Sequence, residues 1–296
     1  TAEVAALAQI SDPQVINAAI PVLARNWAEQ DVQGALAWAQ ALPADNATVR
    51  NTALSSILNV WTLNDPVSAA AYIQTLTTDP SFSNLADEVL NSWGRSDPQA
   101  ALTWVESLPP GPAQNQAMET ALAQLANVNP QGALDAAGQL TGDAKDRVQA
   151  NIFGTWSTEQ PAEAAAALMN TNGTLFSGTT LNSVTATVAQ NWLNQDPQAA
   201  TQWINTLPPG APRDNAVEQI ISTVGQSDPA SVYNWALSIG DPSTRNAQVV
   251  KLAAKWSSQN PTAAAAAAQN ALNNLTGVTH AQTLVLQKIA ALAPAQ

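Results

Sequence analysis

The sequence contains no cysteine and a single histidine, His280, among its 296 residues. Without cysteine the chain can form neither a disulfide nor a thiolate metal site. With one histidine it can hold neither a serine–histidine–aspartate triad nor a metal site built from several histidines. No phosphate-binding loop, dinucleotide-binding glycine pattern or calcium-loop pattern occurs. We therefore expect a protein that is not an enzyme, with no catalytic residue, no metal and no cofactor.

Charged side chains are also scarce, because lysine, arginine, aspartate and glutamate make up only 11% of the chain. Ten basic residues stand against 22 acidic ones, which gives a formal net charge of −12. Nucleic acids and anionic membrane surfaces are bound by clustered lysine and arginine, so neither is expected as a partner. No run of about 18 or more apolar residues occurs, and the sequence therefore predicts no insertion into a membrane.

One stretch of sequence recurs from one end of the chain to the other, most clearly at residues 93–111 and 192–210. Asp196-Pro197 predicts the start of a helix, because aspartate caps the first turn and proline is tolerated at its first position. Apolar residues then follow on one helix face, at Ala200, Trp203, Ile204 and Leu207. The turn Leu-Pro-Pro-Gly ends this helix, here named helix A. A second helix, helix B, ends near the next tryptophan, so each unit is predicted to be a helical hairpin.

The hairpin recurs with a period of about 32 residues. Such a period is typical of solenoids, in which each unit covers the apolar face of its neighbour. We therefore predict an all-α fold, an α-solenoid of about nine stacked helical hairpins, forming a single domain over residues 1–296. The units are predicted to begin near residues 1, 31, 65, 97, 129, 160, 196, 228 and 260.

The ten tryptophans fall at only two positions of the repeat. One position lies four residues before the Asp-Pro pair, in helix B, and the other lies six residues after its proline, in helix A. Leu125 and Val224 replace the helix-B tryptophan in two copies, and no polar residue does so. This pattern favours packing in the core. A ladder of aromatic rings that stacks on sugars or peptides is the functional alternative.

Four copies carry a cation eleven residues before the helix-B tryptophan position: Arg50, Lys145, Arg213 and Arg245. A cation near a helix N-terminus opposes the helix dipole, so its position requires a reason. We expect it to donate hydrogen bonds to the C-terminal carbonyls of a neighbouring helix A. A row of cations that binds a ligand is the alternative.

The fifth and sixth units depart most from the repeat. Their helix A carries Ala136 and Ala167 where other copies have an aromatic residue, and a long loop at residues 170–180 replaces the tight turn of the sixth unit. Atypical loops of repeat proteins often line binding faces. This region is therefore a candidate groove for a partner, with Ala136, Ala167, Leu175 and Phe176 as its possible lining. Decay of the repeat, compensated by packing of small residues, explains the same features.

The two ends of the chain are apolar, although terminal repeats usually carry a polar outer face. Six residues are candidates for self-association: Val4, Leu7, Leu284, Leu286, Ile289 and Leu292. A head-to-tail contact that does not close into a ring would produce a filament. Alternatively, the polar residues of the last helix form its outer face, and the protein is then a monomer.

Proline followed six residues later by tryptophan, as in Pro98 to Trp104 and Pro197 to Trp203, resembles the helix junction of tetratricopeptide-type solenoids. The tryptophan before the Asp-Pro pair, the shorter helix A and the Leu-Pro-Pro-Gly turn depart from that family. The whole pattern, Trp-x3-Asp-Pro-x2-Ala-x2-Trp-x3-Leu-Pro, looks closer to tandem repeats of uncharacterised bacterial exported proteins. The resemblance covers almost the whole chain and implies a helical-repeat scaffold without catalytic residues.

We expect a non-enzymatic scaffold whose partner is a protein or peptide. One alternative is a self-assembling extracellular filament or array subunit, joined head-to-tail to copies of itself, and a second is a glycan-binding repeat protein. The low charge and the many asparagine, glutamine, serine, threonine and alanine residues indicate an extracellular or periplasmic location. The chain opens inside a repeat unit at Thr1, which indicates a preceding leader or earlier segment.

Overall fold

The structure is a computed structural model that describes residues 13–42, 47–170, 175–176 and 178–292, with side-chain surroundings from residue 18 onward. Within these ranges it contains 17 helices and no strand, which confirms the prediction of an all-α fold. None of the described helices combines the length and the apolar character that a membrane span requires.

Contacts within the chain divide it into two compact units, residues 1–152 and 153–296. The described helices of the first unit are α1 Pro13–Ala28, α2 Val32–Gln40, α3 Ala47–Asn64, α4 Pro66–Gln74, α5 Phe82–Ser96, α6 Pro98–Glu106, α7 Pro112–Ala126, α8 Pro130–Ala137 and the first part of α9, Gly142–Glu159. Those of the second unit are the rest of α9, α10 Pro161–Asn170, α11 Gly178–Gln195, α12 Pro197–Thr206, α13 Ala211–Val224, α14 Pro229–Leu237, α15 Pro242–Gln259, α16 Pro261–Asn274 and α17 His280–Ala290. A single solenoid domain of about nine hairpins stays a prediction.

Each unit packs long and short helices in alternation. In the first unit α3 packs against both α1 and α5, and α5 packs against α7, while the short helices α2, α4 and α6 each contact the long helix before and after them. In the second unit α11 packs against α13 and α15 against α17, and α12, α14 and α16 make the same contacts to flanking helices. The short helices correspond to the predicted helix A, and the long helices to helix B.

One residue both ends helix B and begins helix A. The N–H of Asp97 donates to the carbonyl of Trp93 at 2.8 Å, and the Asp97 carboxylate accepts from the N–H of Ala100 at 3.0 Å. Pro98 occupies the first helical position, where no N–H is needed. The same side-chain cap is present at Asp31, Asp65, Asn129, Asp196, Asp228 and Asn260. The predicted caps are therefore confirmed at these positions.

The tryptophan of helix B lies against the tryptophan of the helix A that follows it, across the junction between consecutive hairpins. The ring centroids of Trp93 and Trp104 are 6.4 Å apart, and those of Trp192 and Trp203 are 5.7 Å apart. The same arrangement joins Trp27 to Trp38 and Trp61 to Tyr72. All ten tryptophans are buried or half-buried. Their rings thus fill space between helices, as expected for core packing.

A small polar residue links consecutive hairpins. Asp214 is buried on α13, and its two carboxylate oxygens accept the N–H groups of Gly240 and Asp241 at 2.9 and 3.0 Å. At the equivalent place on α15, the amide of Asn246 donates to the carbonyl of Thr276 at 2.9 Å. The equivalent position of the other copies, ten residues before the helix-B tryptophan position, also holds a small polar residue: Asn17, Asn51, Ser83, Asn115, Asp146 and Asn182.

Tyr233 is a buried titratable residue of the second unit. Its hydroxyl donates to the carbonyl of Ala267 at 3.0 Å, and burial raises the pKa of Tyr233 from 10.0 to about 12. Because the folded-state pKa is raised, the neutral phenol contributes stability below pH 10 that is lost as pH rises towards 12. We expect the free energy of unfolding in urea to fall across this window, and to fall less in Tyr233→Phe. Tyr72→Phe, which keeps Tyr233, should retain the wild-type decline, and equal slopes in all three proteins would contradict the prediction.

Candidate functional site

The Leu-Pro-Pro-Gly turn of the first unit borders an apolar cavity of about 240 Å³, here named the first notch. Leu108, Pro109 and Pro112 form the side that belongs to the turn and to the start of α7. Thr77 and Phe82 form the opposite side, from the turn of the preceding hairpin and the start of α5. Proline ends helix α6 without offering an N–H, so this turn presents ring carbons to the cavity.

The second unit contains an equivalent cavity of about 380 Å³, here named the second notch, beside its own Leu-Pro-Pro-Gly turn. Its apolar lining consists of Leu168, Met169, Leu181, Leu207, Pro208 and Pro212. Thr185 also lines it, but the Thr185 hydroxyl donates to the carbonyl of Leu181 at 2.7 Å. Met169, which is 38% exposed, lies at the rim. This notch therefore offers an open and predominantly apolar surface.

Both notches occur where the repeat replaces a cation by an apolar residue. Phe82 and Leu181 each stand eleven residues before the helix-B tryptophan, at the position that four of the other copies fill with arginine or lysine. At this position Arg213 donates to the carbonyl and the hydroxyl of Ser238 at 2.9 and 3.3 Å, in the next turn. The expected bond to a neighbouring helix A end is thus confirmed for Arg213. The Arg213 guanidinium thus connects the start of α13 to the next turn. The apolar side chains of Phe82 and Leu181 border a notch at the equivalent place.

The four residues predicted to line a groove are distributed over both units of the chain. Ala136 lies half-buried on α8 of the first unit, and Ala167 lies half-buried on α10 of the second. Phe176 is buried against Phe153, with ring centroids 5.7 Å apart, and Leu175 beside it is half-buried. Phe176 therefore belongs to the core and is not available as groove lining. The two residues after Ala167 line the second notch, so the predicted region borders a cavity that its predicted residues do not form.

The predicted self-association residues on and just after α17 differ in their exposure to solvent. Leu284 and Leu292, 44% and 48% exposed, lie on the surface with Val285. Leu286 and Ile289 are instead buried, since this face of α17 packs against α15 and α16. The expectation that these two residues lie open for self-association is thereby corrected. The two predicted residues near the start of the chain lie outside the described residues: Val4 and Leu7.

No metal-binding cluster is present among the residues that the structure describes. Nowhere in these ranges do three metal-ligating side chains come close enough to hold an ion. A polar cavity of about 110 Å³ between α13 and α15 contains Glu218, Gln248 and Lys255. Gln248 donates to the Glu218 carboxylate at 2.9 Å, and Lys255 donates to the Gln226 side chain at 2.6 Å. These groups therefore connect the helix-B segments of consecutive hairpins to each other.

Sequence reasoning missed both notches, although two signals for them are present. The first is an apolar residue, Phe82 or Leu181, at a position where four other copies carry a cation. The second is the Leu-Pro-Pro-Gly turn in the unit that follows each of them, at residues 108–111 and 207–210. Neither signal predicts a notch by itself, because the apolar residue and the Leu-Pro-Pro-Gly turn belong to consecutive hairpins and form opposite sides of the cavity.

Three comparisons with known proteins were made, and none of them gives a match. A scan against protein-family models gives no match to the chain, and searches of the curated proteins and of the solved structures give none either. The functional conclusion therefore rests on the geometry of the notches and of the exposed face of α17.

Proposed function

We propose that this protein is a non-enzymatic scaffold, an α-solenoid of about nine hairpins, that binds another protein or a peptide at the apolar notches beside its Leu-Pro-Pro-Gly turns. The observation that carries this proposal is the recurrence of an equivalent notch in both units. Each notch combines an apolar residue eleven positions before the helix-B tryptophan with the turn of the next hairpin. An extracellular or periplasmic location is part of the same proposal.

The character of the notches favours a side chain of a partner as their occupant. Protein partners contribute most of their binding energy through a few apolar or aromatic anchors inserted into pockets. Burying apolar surface contributes roughly 25 cal/mol per Å², so one anchor in each notch would supply a large part of a specific interaction. The notches lie on turns at the surface, where loops of repeat proteins commonly carry binding residues.

Closing each notch tests this function. Leu181→Arg places at the second notch the residue type that spans two turns at Arg213, and Ala113→Trp fills the first notch. Peptides selected from a phage-displayed random library on the wild-type protein are expected to lose about tenfold or more in affinity with one of these variants. Fluorescence polarisation with the labelled peptides measures this loss.

Val128→Arg provides the matched control, because Val128 is 67% exposed and lies outside both notches. It should leave the affinity of the selected peptides unchanged, and thermal unfolding checks that all variants remain folded. Selection of no peptide, or equal affinity for the wild type and the doubly closed Ala113→Trp/Leu181→Arg variant, would refute a binding role for the notches.

Self-assembly is the second candidate function, because Leu284 and Val285 are exposed on one short helix, α17, and Leu292 is exposed just after its end. A second copy of the chain could cover this face in a head-to-tail contact. We expect wild-type protein to form larger species in sedimentation velocity as its concentration rises, and Leu284→Glu/Leu292→Glu to remain monomeric. Val128→Glu is the control for an added surface charge. Wild-type protein that stays monomeric at every concentration would exclude this function.

Glycan binding, the remaining alternative, has no comparable support. A sugar-binding platform needs an open aromatic face, and none of the ten tryptophans is exposed.

A further inference from the structure

The first notch continues into a second, more polar cavity. This cavity of about 500 Å³, here named the acidic cavity, shares Thr77, Phe82, Pro112 and Ala113 with the first notch. Beyond these shared residues its lining includes two carboxylates, Asp79 and Asp87. A chain that inserts an apolar side chain into the first notch would therefore pass directly beside two acidic groups.

Both carboxylates are held in place by neighbouring hydroxyl groups. The Asp79 side chain accepts from the Ser81 hydroxyl at 2.7 Å and from the Ser81 N–H at 2.8 Å. These bonds, with a smaller contribution from the charge of Arg50, hold the pKa of Asp79 below its ordinary value, so the group is ionised at neutral pH. Asp87 accepts from the Thr120 hydroxyl at 2.5 Å. Because Thr120 lies on α7, this hydrogen bond connects α5 to α7.

Acidic side chains outnumber basic ones in the unit that contains the first notch. Among the described residues, no lysine or arginine lines either the first notch or the acidic cavity. Residues 1–152 carry 15 acidic and five basic side chains, whereas residues 153–296 carry seven acidic and five basic ones. The described lining of the second notch contains no carboxylate. The two notches thus share an apolar part and differ in the charge beside it.

We propose that the first notch and the acidic cavity together bind a protein segment in which an apolar side chain lies close to a lysine or an arginine. The apolar side chain occupies the space between Phe82 and Pro112, and the cation lies beside Asp79 and Asp87. Complementary charge at such a rim contributes mainly to specificity and to the rate of association. This proposal rests on the peptide-binding function proposed above and names the chemistry of the segment for one of the two notches.

The test uses the full chain with the second notch closed by Leu181→Arg, so that selection reports on the first notch. Peptides are selected from a phage-displayed random library on this protein and labelled for fluorescence polarisation. We expect the enriched peptides to combine an apolar residue with a nearby lysine or arginine, and to bind more weakly as salt is raised. Adding Asp79→Asn and Asp87→Asn, which keep an oxygen acceptor for Ser81 and Thr120, should weaken these peptides about tenfold.

Glu88→Gln with Asp135→Asn is the matched control. It removes the same net charge from the first unit, at residues outside the described lining of both cavities, and should leave affinity nearly unchanged. Enriched peptides without basic residues, or peptides that bind the Asp79→Asn/Asp87→Asn variant as tightly, would overturn this proposal. If those peptides still lose affinity with Ala113→Trp, the proposed function stands. If no peptide is enriched on either this protein or the wild type, both proposals fail.

Discussion

Replacing Trp93 by alanine is expected to lower the free energy of unfolding by about 3–5 kcal/mol. Trp93 is only 6% exposed at the end of α5, and its ring lies 6.4 Å from that of Trp104 on α6. Truncation removes apolar surface from the core and leaves a cavity that the surrounding helices fill only in part. Urea denaturation followed by far-UV circular dichroism measures the loss.

Trp93→Leu is the informative control for this result. The next copy of the repeat carries Leu125 at the same position, and Leu125 is buried there. We therefore expect the leucine variant to lose roughly 1–2 kcal/mol, clearly less than alanine. Equal losses for leucine and alanine would mean that this position requires the indole itself, and would contradict its assignment as an apolar core position.

Asp214→Ala is expected to destabilise the second unit by roughly 2–4 kcal/mol. The carboxylate of Asp214 is buried and accepts the N–H groups of Gly240 and Asp241, so its removal leaves two donors of the next turn without their acceptor. An unsatisfied buried group costs about 1–3 kcal/mol. Chemical denaturation of the intact chain gives the change, and Asp214→Asn, which retains a single oxygen acceptor, should fall between wild type and alanine.

Asp241→Ala controls for the general loss of an acidic residue in this turn. Asp241 is exposed and caps α15 by accepting from the N–H of Thr244 at 2.7 Å. Loss of an exposed cap typically costs about 1 kcal/mol. If Asp214→Ala cost no more than Asp241→Ala, the bonds between the two hairpins would be no more important for stability than a local helix cap.

The helices could be predicted because their signals are local. Asp97 and Pro98 specify a helix start by their own chemistry, and three residues always separate the helix-B tryptophan from the next cap. Trp93 could be assigned to the core because its replacements in other copies are apolar. Each of these inferences requires only residues that lie within one turn or at one repeat position.

The candidate site could not be predicted in the same way, because its two sides come from different hairpins. Leu181 becomes part of a notch only when the turn at residues 207–210 is placed against it. The exposure of Leu284 and the burial of Leu286 depend on which face of α17 meets α15 and α16. The apolar pattern of this helix alone does not distinguish these faces. The role of Asp214 could not be predicted for the same reason, since the two N–H groups that it accepts lie in the next turn.

The shared residue between helix B and helix A also determines where this chain can be lengthened. With a single cap residue at the junction, as at Asp97, one inserted residue would rotate helix A by about 100° and turn its apolar face away from the core. The turns from helix A to helix B lack this constraint, and the repeat already varies its length there, most of all at residues 170–180. Epitope tags, reporter peptides or whole inserted domains therefore belong on the helix A to helix B side of each hairpin.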